Sequence, residues 1–562
     1  MIEERLASLL AEALERAAPA LGLDPPLPAP QLERPRRKGF GDFSTNVAMV
    51  AGSRGAADPQ EVAAAIVAEL PSAPFLERAE VAGPGFINLW TTDRWLHDVL
   101  RRIVRDGDRY GAGDPTGERV QVEFVSANPT GPLTIGHARN ASIGDAIARL
   151  LAFAGHEVER EYYFNDAGGQ MDRFGASVEA RYLQLLGHDA DVPEDGYHGD
   201  YVVDLARQVL ETEGAGLVEL PPEERFVRLR EAGARIAMAE IRTTLARFGV
   251  SFDSYLLEAS LGDRGEIAEA VERLRGAGYV YEADGASWFR STAFGDDKDR
   301  VVIRSDGTHT YFGADLAYLL DKFGRGFDHL IYVWGADHHG DVARVRGAAE
   351  ALGLDPGRVE IVLYQFVSFL RAGEPVKMSK RAGTFVSLDE LIDEVGTDAA
   401  RFHLLLFSND RPMSFDIAEV ARQSLENPVY YVQYGHARIA SILRKARDEG
   451  VVQVAVDEAD LSALASEPEL DLLRALADVP ATIVAAAELR APHKLTHAAQ
   501  ELAATFHRFY TACRVVSDDQ RLTQARLWLV AGTKQVLATL LDLVGVSAPE
   551  SMERLADDVA SS

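Results

Sequence analysis

Two short stretches of this 562-residue chain hold residue types suited to phosphate chemistry. The first, Leu133-Thr134-Ile135-Gly136-His137, lies between a strand-like run and an apolar-periodic helix. Gly136 lets a ligand approach the backbone closely, and a helix N-terminus offers unpaired N–H groups and a positive dipole end to phosphate. His137 could donate to a phosphate or stack on a nucleotide. The second, Val376-Lys377-Met378-Ser379-Lys380-Arg381-Ala382-Gly383, follows a strand-like run. Two lysines flanking a serine, ahead of Ala382-Gly383, suit a loop that closes on a triphosphate. There they would stabilise charge developing as the α-phosphate becomes five-coordinate. Each stretch alone has a plainer explanation, a helix cap for the first and a solvated basic turn for the second. In this order, on a strand–helix–strand background, the pair is far more specific than either member. The Gly-x-x-x-x-Gly-Lys-Ser/Thr pattern of a P-loop is missing from the sequence.

Other candidates are carboxylates, imidazoles and phenols. Tyr311 and Asp315 are four apart and share one face if the segment is helical. Glu123 closes a strand-like run, where a bare reading makes it a surface charge at a strand's edge. Asp337-His338-His339-Gly340-Asp341 suggests a metal site, but adjacent histidines on a strand point opposite ways and no third one clusters with them. The single cysteine, Cys513, leaves no internal disulfide and no thiolate cage. Tyr430, Tyr431 and Tyr434 fall at helical spacing, a stripe that is usually core.

The elements that must position these residues follow from periodicity. Arg119 to Val125 reads as a buried strand, about Gly136 to Phe153 as a helix, and Glu157 to Phe164 as a second strand, a βαβ unit that implies a parallel sheet. Sheet character returns at His329 to Gly335 and at Glu360 to Leu370, with a helix between. The middle, roughly 166–300, reads as mixed helix and loop with little legible chemistry. From about 427 onward the pattern is helical, broken by an acidic loop around Asp457, Glu458 and Asp460. A turn-rich stretch from Asp106 to Pro115 marks a boundary after an N-terminal region that mixes helices with a strand-like run ending at Leu89.

Composition limits the classes. With 58 Lys and Arg against 87 Asp and Glu, the net charge is −29, which by itself suggests a metabolic enzyme rather than a nucleic-acid binder. Met1-Ile2-Glu3-Glu4 is acidic where a secretory signal is basic. Stretches of about 20 uninterrupted apolar residues, the length a membrane span needs, are absent. A cytoplasmic location without membrane contact is the expectation.

The two phosphate-suited stretches resemble the HIGH and KMSKS signatures of class I aminoacyl-tRNA synthetases, and their surroundings are similar to the arginyl-tRNA synthetase family. The similar segments are Val122-Glu123-Phe124-Val125-Ser126-Ala127-Asn128-Pro129-Thr130-Gly131-Pro132, Ser305-Asp306-Gly307-Thr308-His309-Thr310-Tyr311, Val333-Trp334-Gly335-Ala336-Asp337-His338-His339-Gly340, Glu426-Asn427-Pro428-Val429-Tyr430-Tyr431-Val432-Gln433-Tyr434, and the N-terminal Arg37-Lys38-Gly39-Phe40-Gly41-Asp42-Phe43-Ser44. The resemblance runs from about residue 30 to 552.

It implies an α/β fold: a Rossmann-like parallel-sheet catalytic domain over 113–385 with an insertion at about 166–300. Around it stand an α+β N-terminal tRNA-contacting domain over 1–112, a connecting stem-contact region over 386–426, and an all-α anticodon-binding domain over 427–562. The implied activity is ligation of L-arginine to its tRNA with ATP. His137, Lys377 and Lys380 would act on the phosphates, with Thr134, Gly136, Met378 and Ser379 completing the ATP site. Glu123 and Asp315 would hold the guanidinium with Tyr311 packed against it. Ser126, Asn128 and His338 would fix the α-amino and carboxylate end, and Tyr431 and Tyr434 would lie near the anticodon loop. Magnesium is expected with ATP, structural zinc is not, and a monomer is expected. Two departures stand out. Thr134 replaces the first histidine of the HIGH signature, and residues 553–562 extend past the usual end of the family at Met552.

Overall fold

In the strand Arg119–Glu123, the successive residues Val120, Gln121, Val122 and Glu123 are all buried. A strand covered on both faces belongs in a parallel sheet flanked by helices. The computed structural model describes residues 2–35, 39–55, 57–166, 168–376 and 386–552. It places this strand at the centre of a five-stranded sheet in the spatial order Val359–Tyr364, His329–Gly335, Arg119–Glu123, Glu157–Phe164, Ser254–Leu257, all paired in parallel. The chain builds outward from Arg119–Glu123 in one direction, then returns to its other side for His329–Gly335 and Val359–Tyr364. Strand order therefore reverses between Arg119–Glu123 and His329–Gly335. In open α/β sheets, ligands bind in the crevice at the carboxyl ends of the two strands flanking such a reversal.

The helix after the first strand, Ala138–Phe153, packs on the sheet at close range. A Cβ added at Gly144 would lie 2.1 Å from the Phe124 ring, so only glycine permits this approach. Farther along the same helix, Asp145 meets Arg401, and both are buried. Arg401 also donates to the carbonyls of Val544 (3.2 and 3.1 Å) and Phe248 (3.1 Å), and Arg149 donates to Asp145 at 2.8 Å. One guanidinium thereby ties four segments of chain together. Burial alone would raise the Asp145 carboxyl, but Arg401 and Arg149 outweigh it and hold that carboxyl below its ordinary range.

The chain divides into two compact units. One comprises Met1–Gly107, Ile442–Ala477 and Thr505–Thr533, and the other Asp108–Ser441, Asp478–Ala504 and Lys534–Ser562. In the first, three antiparallel strands (Phe43–Thr45, Phe86–Thr91, Leu76–Ala82) accompany the helices Ile2–Leu21, Val47–Gly55, Pro59–Ala68 and Arg94–Asp106. Ile2, Leu6, Leu10, Ala13 and Leu14 form the buried face of the first helix, as their spacing predicts.

Two expectations are corrected. Residues 166–300 are not only helix and loop. Gly169–Leu185, Asp200–Glu213 and Pro222–Arg247 are helices around their own core, which includes Phe174, Val178, Leu205 and Leu229. But Ser254–Leu257 joins the main sheet as an edge strand, and Val280–Ala283, Ala286–Phe289 and Arg300–Ile303 make a separate antiparallel sheet. Likewise, Glu360 to Leu370 is two strands in different sheets. The chain turns at Gln365, whose carbonyl accepts from the buried Arg139, and Val367–Arg371 pairs with Met413–Asp416. From 428 the elements are helices, Pro428–Asp448, Glu467–Glu488, His493–Ala512 and Gln520–Leu543. Among the described residues, no helix is long and apolar enough to cross a membrane.

Candidate active site

Glu123 ends the first strand, and the loop that follows is strained. Val125 and Ser126 have φ of 66° and 41°, left-handed values that a β-branched valine adopts at a cost of about 1–3 kcal/mol. The surroundings impose the shape. Asn140 accepts from the Val125 N–H at 2.6 Å. The buried Tyr162 hydroxyl accepts from the Ala127 N–H at 3.0 Å and donates to the Ala127 carbonyl at 2.9 Å. The Ser126 hydroxyl donates to Glu123 Oε1 at 3.1 Å. The chain is thereby bent into a recess of about 490 Å³ lined by Ser126, Asn128, Thr130, His137, Gln170 and His338, among others.

Thr134 and His137 meet at the start of the helix. His137 Nδ1 lies 3.1 Å from the Thr134 N–H and 3.1 Å from Thr134 Oγ1. The same Nδ1 lies 3.2 Å from the Thr134 carbonyl, so it meets a donor and an acceptor on one residue and either ring tautomer finds a partner there. Thr134, where the family pattern has histidine, thus helps orient the histidine that remains. The same segment is tied to the chain after the basic loop, with Ile135 N–H donating to Val386 O at 3.1 Å and Leu388 N–H to Leu133 O at 2.8 Å. Lys377, Met378, Ser379 and Lys380 themselves lie outside the described residues, as do residues 553–562.

Across the reversal, His338 sits in a short turn after its strand, not on the strand as the argument from opposite-facing histidines assumed. Its Nδ1 is 3.1 Å from Asp341 Oδ2, and Asp341 in turn accepts from Arg344 at 2.6 Å. Among the described residues, no group of three or more His, Cys, Asp or Glu is arranged to hold a metal.

The helix Tyr311–Gly324 carries the next residues. Thr310 caps it, its hydroxyl accepting from the Gly313 N–H at 3.2 Å. Tyr311 and Asp315 are both exposed between buried neighbours, hence on one face as their spacing predicts. Tyr311 lines a second recess of about 560 Å³ with Glu258, Arg304, Asp306, Thr308 and His309. Glu258 escaped the sequence reading. It follows the carboxyl end of the short edge strand, is only 9% exposed, and accepts from the Tyr163 hydroxyl at 2.8 Å.

Solvent reaches Asp315, yet protein atoms surround it. That crowding, with the like charges of Glu258, Glu123 and Asp341, pushes its carboxyl up to about 7 against the opposing pull of Arg344. Burial, with Asp166 adding to it, pushes Glu258 up to about 7 as well. Two carboxyls raised in this way would each be held in the ionised form by a cation beyond those already near them, Arg304 in the lining and Arg344 acting on Asp315. Glu123 is different. It is 6% exposed on the central strand rather than a surface charge, and Lys322 holds its Oε2 at 2.6 Å.

The structure brings Glu123, Ser126, Asn128, Thr134, Gly136, His137, Tyr311, Asp315 and His338 to the carboxyl end of the sheet and the helices that follow it. Tyr431 and Tyr434 are elsewhere, half-buried on Pro428–Asp448, whereas Tyr430 is in the core. The Arg438 guanidinium stacks 5.5 Å from the Tyr434 ring.

Three family models match the chain: "Arginyl tRNA synthetase N terminal domain" over residues 4–90, "tRNA synthetases class I (R), catalytic domain" over 99–425, and "DALR anticodon binding domain" over 432–552. Among similar curated proteins, arginine–tRNA ligase of Moorella thermoacetica is 48% identical over 558 residues, covering 98% of this chain and 99% of that one. The same ligase of Heliobacterium modesticaldum is 47% identical over 557 residues, with 98% and 99% covered. Arginyl-tRNA synthetase of Thermus thermophilus superposes with a TM-score of 0.75 at 26% identity, covering 98% of this chain and 100% of that one. A Mycobacterium tuberculosis methionyl-tRNA synthetase, at 15% identity and a TM-score of 0.54 over 76% and 91% of the two chains, shares the fold alone.

Proposed function

The chain belongs to the arginyl-tRNA synthetase family, and from that premise we propose that it is an arginine–tRNA ligase whose catalytic centre is the pair of recesses at the carboxyl end of the parallel sheet. The observation that carries the reading is the recess lined by Glu258, Asp306 and Tyr311, with the Asp315 carboxyl close enough to feel the Glu258 charge, together with the recess that holds His137. A guanidinium is planar, permanently charged and rich in donors. It fits the first recess, leaving the amino acid's other end near Ser126, Asn128 and His338.

The arginine carboxylate attacks the α-phosphorus of ATP, the bond to the β-phosphate oxygen breaks, and pyrophosphate leaves. A hydroxyl of the tRNA's terminal ribose then attacks the carbonyl carbon of the adenylate, and AMP leaves. In the first step no side chain becomes bonded to substrate, so positioning and electrostatics supply the catalysis. His137 donates to phosphate oxygen. Thr134 and Gly136 leave the backbone accessible to ATP, and Lys377, Met378, Ser379 and Lys380 close over the triphosphate. Magnesium arrives as part of the ATP substrate, held largely by phosphate and water. Tyr431 and Tyr434 offer ring faces to anticodon-loop bases. Residues 1–112 and 427–562 contact the tRNA, 386–426 connects, and the enzyme acts as a cytoplasmic monomer.

Arginine-dependent exchange of pyrophosphate into ATP tests this, with and without tRNA specific for arginine. Exchange that needs both is expected; exchange with a different amino acid and none with arginine sinks the reading. In the same assay His137→Ala should lower kcat about 10²-fold with the KM for arginine nearly unchanged, as for loss of one donor to developing charge. A raised KM for ATP with kcat unchanged would instead make His137 a contact made equally in the ground state. Val125→Gly should leave the melting temperature level or slightly raised, because relief of strain offsets lost packing. Its kcat/KM for arginine should fall about tenfold as the loop loosens. A clear drop in melting temperature with unchanged activity would mean that the strain has no part in shaping the site.

A further inference from the structure

Lys322 is wholly buried, and its ammonium lies 3.9 Å from the centre of the Tyr332 ring and 4.0 Å from that of Tyr318. Burying an ammonium is costly, and a hydrophobic residue of similar size often serves stability as well or better. Among the described residues its one direct ion-pair contact is Glu123 Oε2 at 2.6 Å. The other oxygen of Glu123 accepts from the Ser126 hydroxyl at 3.1 Å, and Ser126 Oγ accepts from the Tyr163 N–H at 3.2 Å. The direction of every bond in this chain is fixed. An ammonium and a backbone N–H only donate, and an ionised carboxylate only accepts. The hydroxyl proton of Ser126 must therefore point inward to Glu123.

We infer that Lys322 is a positioning residue for the amino-acid substrate: by keeping Glu123 an acceptor on both oxygens, it leaves the Ser126 oxygen facing the recess as an acceptor for an ammonium group. The inference rests on the reading that this recess takes the α-ammonium end of arginine. Lys322 touches no substrate in this arrangement and acts only through Glu123 and Ser126.

The groups acting on Glu123 come from every side: Tyr163 from the neighbouring strand, Tyr332 from the strand on its other side, and Asp315, Tyr318 and Lys322 from the helix. Glu161 and Arg325 complete the buried network, Arg325 donating to Glu161 at 2.6 and 3.0 Å, and Glu258 acts on the same neighbours, Tyr163 and Asp315. In Lys322→Met the carboxyl is left without its cation, and a buried carboxyl in that position takes up a proton to remain buried. It can then donate to Ser126, whose hydroxyl proton turns toward the recess and opposes an ammonium. Raising the pH removes the proton and restores the original direction.

Arginine affinity is measured by equilibrium dialysis on the full chain between pH 6.5 and 8.5, each variant as a ratio to the parent at the same pH. The ratio cancels the titration of Glu258 and of arginine itself, whereas loss of the Glu123 charge lowers Asp315 and so can only strengthen binding at the low-pH end, opposite in sign to the loss expected here. Ser126→Ala should weaken binding about tenfold, the effect of losing one hydrogen bond to a charged group. Lys322→Met should weaken it comparably at pH 6.5, recover toward the parent at pH 8.5, and add nothing in the Ser126→Ala background. Glu123→Gln, which retains a partner for Lys322 and guards against a Met variant that fails to fold, must turn its amide nitrogen to Ser126. It should show the same loss with no recovery at high pH. A Lys322→Met ratio that is flat with pH, additivity with an effective Ser126→Ala, or recovery of Glu123→Gln would each overturn the inference while leaving the site assignment intact. If Ser126→Ala binds arginine like the parent, both the assignment of this recess and the inference fall.

Discussion

Asp315→Asn is expected to weaken arginine binding about 10²–10³-fold, the loss that follows when one partner of a desolvated ion pair is removed. The amide keeps the shape but replaces one acceptor oxygen with a donor group, aimed at a ligand that can only donate. A second readout is the pH dependence of the parent protein. In the free recess the Asp315 carboxyl is pushed up to about 7, so below that pH it is largely protonated. A bound guanidinium favours the ionised form and lowers the value. Binding below pH 7 therefore expels a proton, and affinity should rise with pH and level off above about 7. Because Glu258 is raised in the same way, the slope can reach two protons. Calorimetry in two buffers of different ionisation enthalpy counts the protons released. Asp315→Asn should release fewer than the parent. A variant that binds within threefold of the parent, with the parent's proton count, would show that arginine's side chain goes elsewhere.

Arg401→Met should destabilise the unit that contains it by about 3–5 kcal/mol, the range for breaking a buried ion pair on one side. The methionine leaves Asp145 buried with one cation fewer and removes the donor from the carbonyls of Val544 and Phe248. Thermal or chemical unfolding measures the loss. Asp145→Asn should be comparably harmful, and the double variant should fall well short of the sum, since both remove one network. The pH behaviour fixes the sign. Asp145 is held below the ordinary carboxylate range in the folded chain. Its contribution is thus complete above the unfolded value of about 3.9 and is lost only as pH falls through the lower folded value. A variant within about 1 kcal/mol of the parent would mean that the four segments are held by other contacts.

Much of the frame was legible because its signals are long or redundant. His329–Gly335 is a mostly apolar run, Arg119–Glu123 carries valine at every second position, Glu157–Phe164 ends in three aromatics, and Ala138–Phe153 is a long periodic helix. Those elements alone imply a parallel sheet. Ser254–Leu257 was not legible, being four residues that open on serine with no periodicity to count. Glu258 was missed with it. Its signal is positional, directly after the carboxyl end of a parallel strand, and cannot be read until that strand is recognised. The Glu360 to Leu370 run failed for the opposite reason. Its apolar pattern continues across Gln365 and Phe366, and only the bond from Arg139 shows where the chain leaves the sheet. Glu123 shows how a residue can be singled out rightly and its surroundings misjudged. Nothing near it in sequence announces Lys322, 199 residues away.

The reversal of strand order has a consequence for the chain as it is made. Arg119–Glu123, Glu157–Phe164 and Ser254–Leu257 leave the ribosome in sequence and can pair at once, but the strand that covers the other side of Arg119–Glu123 comes much later. Asp328, which accepts from the Arg119 N–H at 2.9 Å where the two strands meet, lies 209 residues downstream. During that interval the nascent sheet has an open edge at what will become the centre of the enzyme, and such edges recruit other chains. Gln121 and Glu123 sit on that edge. In the finished sheet both are buried, and the Gln121 amide has no hydrogen-bond partner among the described residues. The placement that gives the mature enzyme its crevice thus leaves the half-made enzyme with an open edge for as long as those 209 residues take to be made.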